Sequence, residues 1–148
     1  MKIIFCRHHS ICEPGILKSL PRLGHDVIEF MNDREPQDYD KDYMIRLATL
    51  IQQTTDVCAI LSVCFSPIIA RASKPFGIPY ISYTVDSPCS TLYSKTMEYP
   101  HNRLFLFDKL QLDKFRHRNP GNCFHTLLAC DIEHFDNVDA VPQPPERC

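Results

Sequence analysis

The sequence predicts an α/β fold, a Rossmann-like three-layer sandwich around a doubly wound, mainly parallel sheet. Three observations lead there. Runs such as Cys58-Ala59-Ile60-Leu61 are apolar at consecutive positions, which suits strands buried on both faces. Segments with apolar residues at helical spacing separate those runs, and right-handed strand–helix–strand crossovers then cover both sides of one sheet. The chain has 148 residues, the size of a single domain with a substantial core.

Each element has its own signal. Residues 2–6 form the first apolar run, followed by a polar loop at 7–13. Pro14 suits a first helical turn, and Ile16, Leu20 and Leu23 follow at helical spacing. Pro21 removes an amide from that helix, which is therefore expected to be short, kinked or ended early, with Gly24 as the stop. Residues 26–30 read as the second strand and 32–42 as a loop. Tyr43, Leu47, Leu50 and Ile51 line one face of a helix ending near Thr54. Residues 56–63 are the third strand. Ser66-Pro67 has the grammar of a helix start, and that helix carries Ile68, Ile69 and Ala72 before stopping ahead of Gly77. Residues 79–85, 103–107 and 123–128 complete the strands, with a helix at 110–115. The domain is expected to span residues 1–136. Residues 137–148, with Pro142, Pro144 and Pro145, read as a linker or disordered tail.

Composition excludes several classes. A formal net charge of -2 gives no electrostatic case for nucleic acid or anionic lipid. The one locally basic stretch, residues 109–118, is interrupted by Asp113 and reads as a solvated helix face. No apolar run approaches the roughly 20 residues of a membrane span, and the start is too short for a secretory signal, so a cytoplasmic protein is expected. Eight cysteines occur without a C-x-x-C pair. Cys6, Cys58 and Cys123 lie in strand-like runs, and all are read as reduced thiols. Cys6, His8, His9 and Cys12 match no standard ligand spacing, so no metal is expected. Dinucleotide and P-loop glycine patterns and the G-x-S-x-G elbow are all missing. No cofactor is expected.

The stretch Tyr83-Thr84-Val85-Asp86-Ser87-Pro88 carries the functional question. It ends a strand in a carboxylate, a hydroxyl and a proline. In doubly wound sheets ligands sit beyond the carboxyl ends of the strands, where the winding reverses. With the common order 3-2-1-4-5-6, that reversal would place Arg7-His8-His9-Ser10 opposite Asp86-Ser87. Asp86 is then either a turn former or a functional carboxylate. In extended backbone His8 and His9 point to opposite faces, so at most one can face the crevice, where it could act as a general base.

Three stretches, Ser10-Ile11-Cys12-Glu13-Pro14-Gly15-Ile16, the block ending in Thr84-Val85-Asp86-Ser87-Pro88, and Asn102-Arg103-Leu104-Phe105-Leu106-Phe107-Asp108-Lys109, resemble the N-terminal domain of bacterial family-1-type glycosyltransferases related to spore-maturation proteins. The resemblance runs from Lys2 to about Phe135. It implies a GT-B arrangement, with two Rossmann-like domains facing across a cleft. The C-terminal domain would hold the nucleotide-sugar donor, and the N-terminal domain would present the acceptor. This chain would then be an acceptor-side half, inactive without a donor-binding domain in cis or trans. Asp86 and His9 are the candidate catalytic residues by position in the matching motifs. Arg7, His8, Ser10, Glu13, Ser87 and Asp108 are the candidate acceptor or cleft residues, although Glu13 could instead serve the first helix. Two other readings stay open. One is a non-catalytic glycan- or protein-binding module, with self-association as one way to cover an apolar surface. The other is a flavodoxin-like or receiver-like regulatory domain, against which the missing acidic cluster and flavin-phosphate loop count.

Overall fold

The structure, a computed structural model, describes residues 1–32 and 39–129. It is an α/β three-layer sandwich of Rossmann-like type. Its elements in chain order are β1 (Lys2–Arg7), α1 (Glu13–Arg22), β2 (Asp26–Met31), α2 (Lys41–Gln53), β3 (Val57–Val63), α3 (Pro67–Ser73), β4 (Tyr80–Thr84), β5 (Asn102–Leu106), α4 (Lys109–Phe115) and β6 (Cys123–His125). All neighbouring strands are parallel.

The strand order is β2-β1-β3-β4-β5-β6, which corrects the order assumed from the sequence. β3, apolar nearly throughout, lies inside the sheet between β1 and β4. β2, with Asp26, Glu29 and Met31 exposed, occupies an edge. Burial of both flanks is the physical reason: the strand with least to offer water goes to the middle. Winding therefore reverses between β1 and β3, the second common doubly wound pattern.

Local chemistry explains the helices. α1 runs to Arg22, one residue past Pro21, so the proline falls in its last turn, and Gly24 (φ 81°) reverses the chain. The Asp40 carboxylate caps α2 by accepting from the Tyr43 amide at 2.9 Å. Ser66 holds the N-cap place of α3, but its side chain makes no capping bond. Its amide donates instead to the Tyr80 hydroxyl at 2.9 Å, which also meets Ser62 Oγ at 2.7 Å. The buried face of α2 is Tyr43, Leu47 and Ile51, with Leu50 half-buried.

The β4–β5 connection has two 3₁₀ turns, Ser90–Tyr93 and Lys95–Glu98, where the sequence suggested no regular element. β6 is shorter than expected. After His125 one further bond joins the Thr126 amide to the Leu106 carbonyl, and the chain then runs to the Tyr83 hydroxyl, which donates to the Leu127 carbonyl. The main core joins Ile4, Cys6, Ile60, Tyr80, Leu104 and Leu106 of the sheet to Tyr43, Leu47, Ile68, Ile69 and Phe115 of the helices. Ile3 and Phe5, alternating with Ile4 and Cys6, face the other side. The expected boundary at 136 and the tail at 137–148 lie outside the described residues. No helix among the described residues is long and apolar enough to cross a membrane.

Candidate functional site

Two polar clusters form at the carboxyl edge of the sheet, at different strand ends. At the end of β1, Arg7 Nε meets Glu13 Oε2 at 3.1 Å and its Nη1 meets Glu29 Oε2 at 2.6 Å. Glu13 is fully buried and accepts the His8 amide through Oε1 at 2.6 Å. Burial pushes the Glu13 carboxyl up, but the His8 amide and the Arg7 guanidinium outweigh it and hold it below the usual carboxylate range. The Arg7 guanidinium is raised in turn, chiefly by its hydrogen bond to Glu13. Both charges are committed to holding the loop. Ser10 belongs to the same turn, its carbonyl accepting from the Glu13 amide at 3.1 Å and its hydroxyl from the Cys12 amide at 3.4 Å. The histidines diverge: the His8 ring lies 6.3 Å from that of Tyr43, whereas His9 is exposed on left-handed backbone (φ 61°).

The second cluster is built around the end of β4. Asp86 is exposed, and its Oδ2 accepts from Cys64 Sγ at 3.2 Å. Its carbonyl accepts from Gln111 Nε2 at 3.1 Å, while Gln111 Oε1 accepts the buried Cys89 amide at 2.7 Å. One side chain of α4 therefore fixes the chain on both sides of Ser87, which precedes a cis Pro88. The Ser87 hydroxyl donates to Asp108, and Asp108 also caps α4 through the Leu110 amide at 2.8 Å. The Ser87 hydrogen bond keeps the Asp108 carboxyl below its ordinary range.

Arg7, His8, Ser10 and Glu13 thus come together, as do Asp86, Ser87 and Asp108. Asp86 and His9 were expected to face each other from adjacent strands. β3 stands between β1 and β4, and two strand spacings separate such ends by about 10 Å. The residues at the true reversal are those following β1 and β3.

Sequence reasoning missed Cys64, Cys89 and Gln111. Cys64 leaves β3 in a left-handed conformation (φ 58°), its amide donating to the Tyr83 carbonyl at 2.8 Å. Its thiol donates to Asp86, and nearby Cys89 Sγ lies 3.1 Å from Thr91 Oγ1. The available signal was Cys64-Phe65-Ser66-Pro67, a strand exit of the same grammar as Val85-Asp86-Ser87-Pro88. Among the described residues, no three His, Cys, Asp or Glu side chains gather as metal ligands would.

A pocket of about 400 Å³ lies where α3 meets the β4–β5 connection, lined by Tyr39, Arg71, Lys95, Tyr99 and the hydroxyl residues Ser90, Thr91, Ser94 and Thr96. None of the residues singled out from the sequence lines it. The Arg71 guanidinium sits 4.4 Å over the Tyr39 ring. Thr91 links the pocket to the strand exits, since its hydroxyl donates to the Phe65 carbonyl at 2.6 Å.

Comparison with models of known protein families gives no match, and none is found among curated proteins or solved structures. The glycosyltransferase resemblance therefore rests on its three sequence stretches.

Proposed function

We propose that this chain is the acceptor-side half of a glycosyltransferase, a domain that binds a sugar while a second, donor-binding domain in cis or trans carries the nucleotide sugar. The observation that carries this reading is the composition of the pocket. Four hydroxyl side chains and two tyrosines suit a polyhydroxylated ligand, and its volume lies in the range that holds small molecules. Arg71 and Lys95 add a preference for a sugar bearing a phosphate or carboxylate. Asp86 lies outside that lining. It supplies an exposed carboxylate at the carboxyl edge, held in place through its own backbone. In this reading it takes the proton of an acceptor hydroxyl that projects from the pocket toward the strand exits, the side on which Thr91 bonds the Phe65 carbonyl. His9, exposed on the far side of β3 from Asp86, takes no share in that proton transfer in this reading.

Saturation-transfer NMR on the purified chain tests the binding half of the reading, with glucose, glucose 1-phosphate and UDP-glucose as probes. Saturable binding of glucose 1-phosphate is expected. Arg71→Ala and Lys95→Ala should each weaken it about tenfold, the usual scale of a lost charged hydrogen bond. Three probes without saturable binding would remove the pocket as a sugar site. Tight binding of UDP-glucose alone would make this chain the donor half instead.

A further inference from the structure

β3 and β4 are paired neighbours, so their carboxyl ends emerge side by side. Cys64 stands at the first exit and Cys89 just past the second, and Thr91 ties the two together: its Oγ1 lies 3.1 Å from Cys89 Sγ, and its hydroxyl donates at 2.6 Å to the carbonyl of Phe65, the residue after Cys64. Asp86 Oδ2 lies 3.2 Å from Cys64 Sγ. The Gln111 carbonyl oxygen, 2.7 Å from the Cys89 amide, fixes the backbone that carries the second thiol. Cys6 and Cys58 have different surroundings, one fully buried and the other donating to the Lys2 carbonyl at 3.1 Å.

We propose that Cys64 and Cys89 form an oxidisable dithiol, a modification site at the carboxyl edge of the sheet that closes to an intramolecular disulfide on reaction with hydrogen peroxide. The Cys89 sulfur attacks one peroxide oxygen, the O–O bond breaks, and the products are a Cys89 sulfenic acid and hydroxide, which takes up the thiol proton as water. Cys64 then attacks the Cys89 sulfur. The S–O bond breaks, the leaving hydroxide accepts the Cys64 proton, and a second water departs. Two thiols and one peroxide thus give one disulfide and two waters.

The surroundings fit these roles. Hydrogen bonds from the Cys64 thiol and from the Thr91 and Phe65 amides stabilise negative charge on Cys89, so its thiol is lowered. Cys64 is raised, because its single thiol proton is shared between Cys89 and the Asp86 carboxylate and because it is partly buried. Cys89 is only 6% exposed, which admits a small oxidant and hinders a bulky disulfide. Asp86, proposed above as a base, hydrogen-bonds Cys64, so oxidation would also alter the partner of that carboxylate.

The test uses the wild-type chain and does not depend on the sugar-binding reading. Reduced protein is treated with one equivalent of hydrogen peroxide, alkylated with N-ethylmaleimide and digested with trypsin, which cuts between the two cysteines after Arg71. The expected product is a pair of peptides joined through Cys64 and Cys89, lighter by two hydrogens and separated again by dithiothreitol. In Cys64→Ser, dimedone should trap the Cys89 sulfenic acid. Recovery of both cysteines in alkylated form after peroxide, or linkage of either to a different cysteine, would overturn the proposal.

Discussion

Glu13 shows how a residue can look catalytic in sequence and be structural in place. Its carboxylate is fully buried, yet it is matched by Arg7 and by the His8 amide. Removing it would leave the His8 amide without its acceptor and Arg7 with Glu29 in place of two carboxylates. Glu13→Ala should therefore cost about 2–4 kcal/mol in urea unfolding at pH 7. The folded pKa lies below the unfolded value, so this stabilisation is complete above the unfolded pKa. It is lost as pH falls through the folded one. Wild type should lose stability below about pH 4, and Glu13→Gln should show a flatter profile over the same range. Equal slopes for the two proteins would detach the pH dependence from Glu13.

At the scale of elements, α4 does more than cover the sheet. Gln111 reaches from that helix to both sides of the Asp86–Cys89 turn, donating to one residue's carbonyl and accepting from the other's amide. Gln111→Leu keeps the bulk and removes both bonds, leaving the Cys89 amide buried without its acceptor. We expect a loss of about 1–3 kcal/mol. Amide proton exchange at Cys89 should accelerate by more than at the α4 amides themselves, since the turn and not the helix loses its anchor. Equal acceleration throughout α4 would mean that the substitution had loosened the helix instead. Tyr80 plays the matching part on the other side of β4, its hydroxyl joining Ser62 to the first amide region of α3.

For the molecule as a whole, strand order sets both stability and the location of function. β3 is bonded on both flanks, to β1 and β4, whereas β2 and β6 are edges. Native-state hydrogen exchange should be slowest in β3 and fastest in β2 and β6, because opening a central strand requires breaking two ladders. An edge strand protected as strongly as β3 would require something bound along it. The same order moves the winding reversal to the β1–β3 boundary and sets Cys64 between the two polar clusters. That is why the reading of Asp86 and His9 as a pair facing from adjacent strands fails, while Ser87, next to Asp86, is hydrogen-bonded to Asp108 at the start of α4.

The sequence by itself determined the class of fold, the succession of strands and helices among the described residues, and the helix starts near Pro14 and Pro67. Those properties are local: consecutive apolar residues, helical spacing, a proline in the first turn at Pro14 and Pro67, a stop at Gly24. It also marked the polar strand exit at Asp86, because turn chemistry is written in adjacent residues. The tertiary structure alone decided which strands are neighbours, and so which exits meet. Adjacency depends on competition among the strands for the buried centre, and periodicity within each strand carries no record of it. The approach of Cys64 to Cys89, the Gln111 clamp and the hydroxyl-lined pocket all depend on that choice. Each joins residues far apart in the chain, so no spacing or local motif could have announced them.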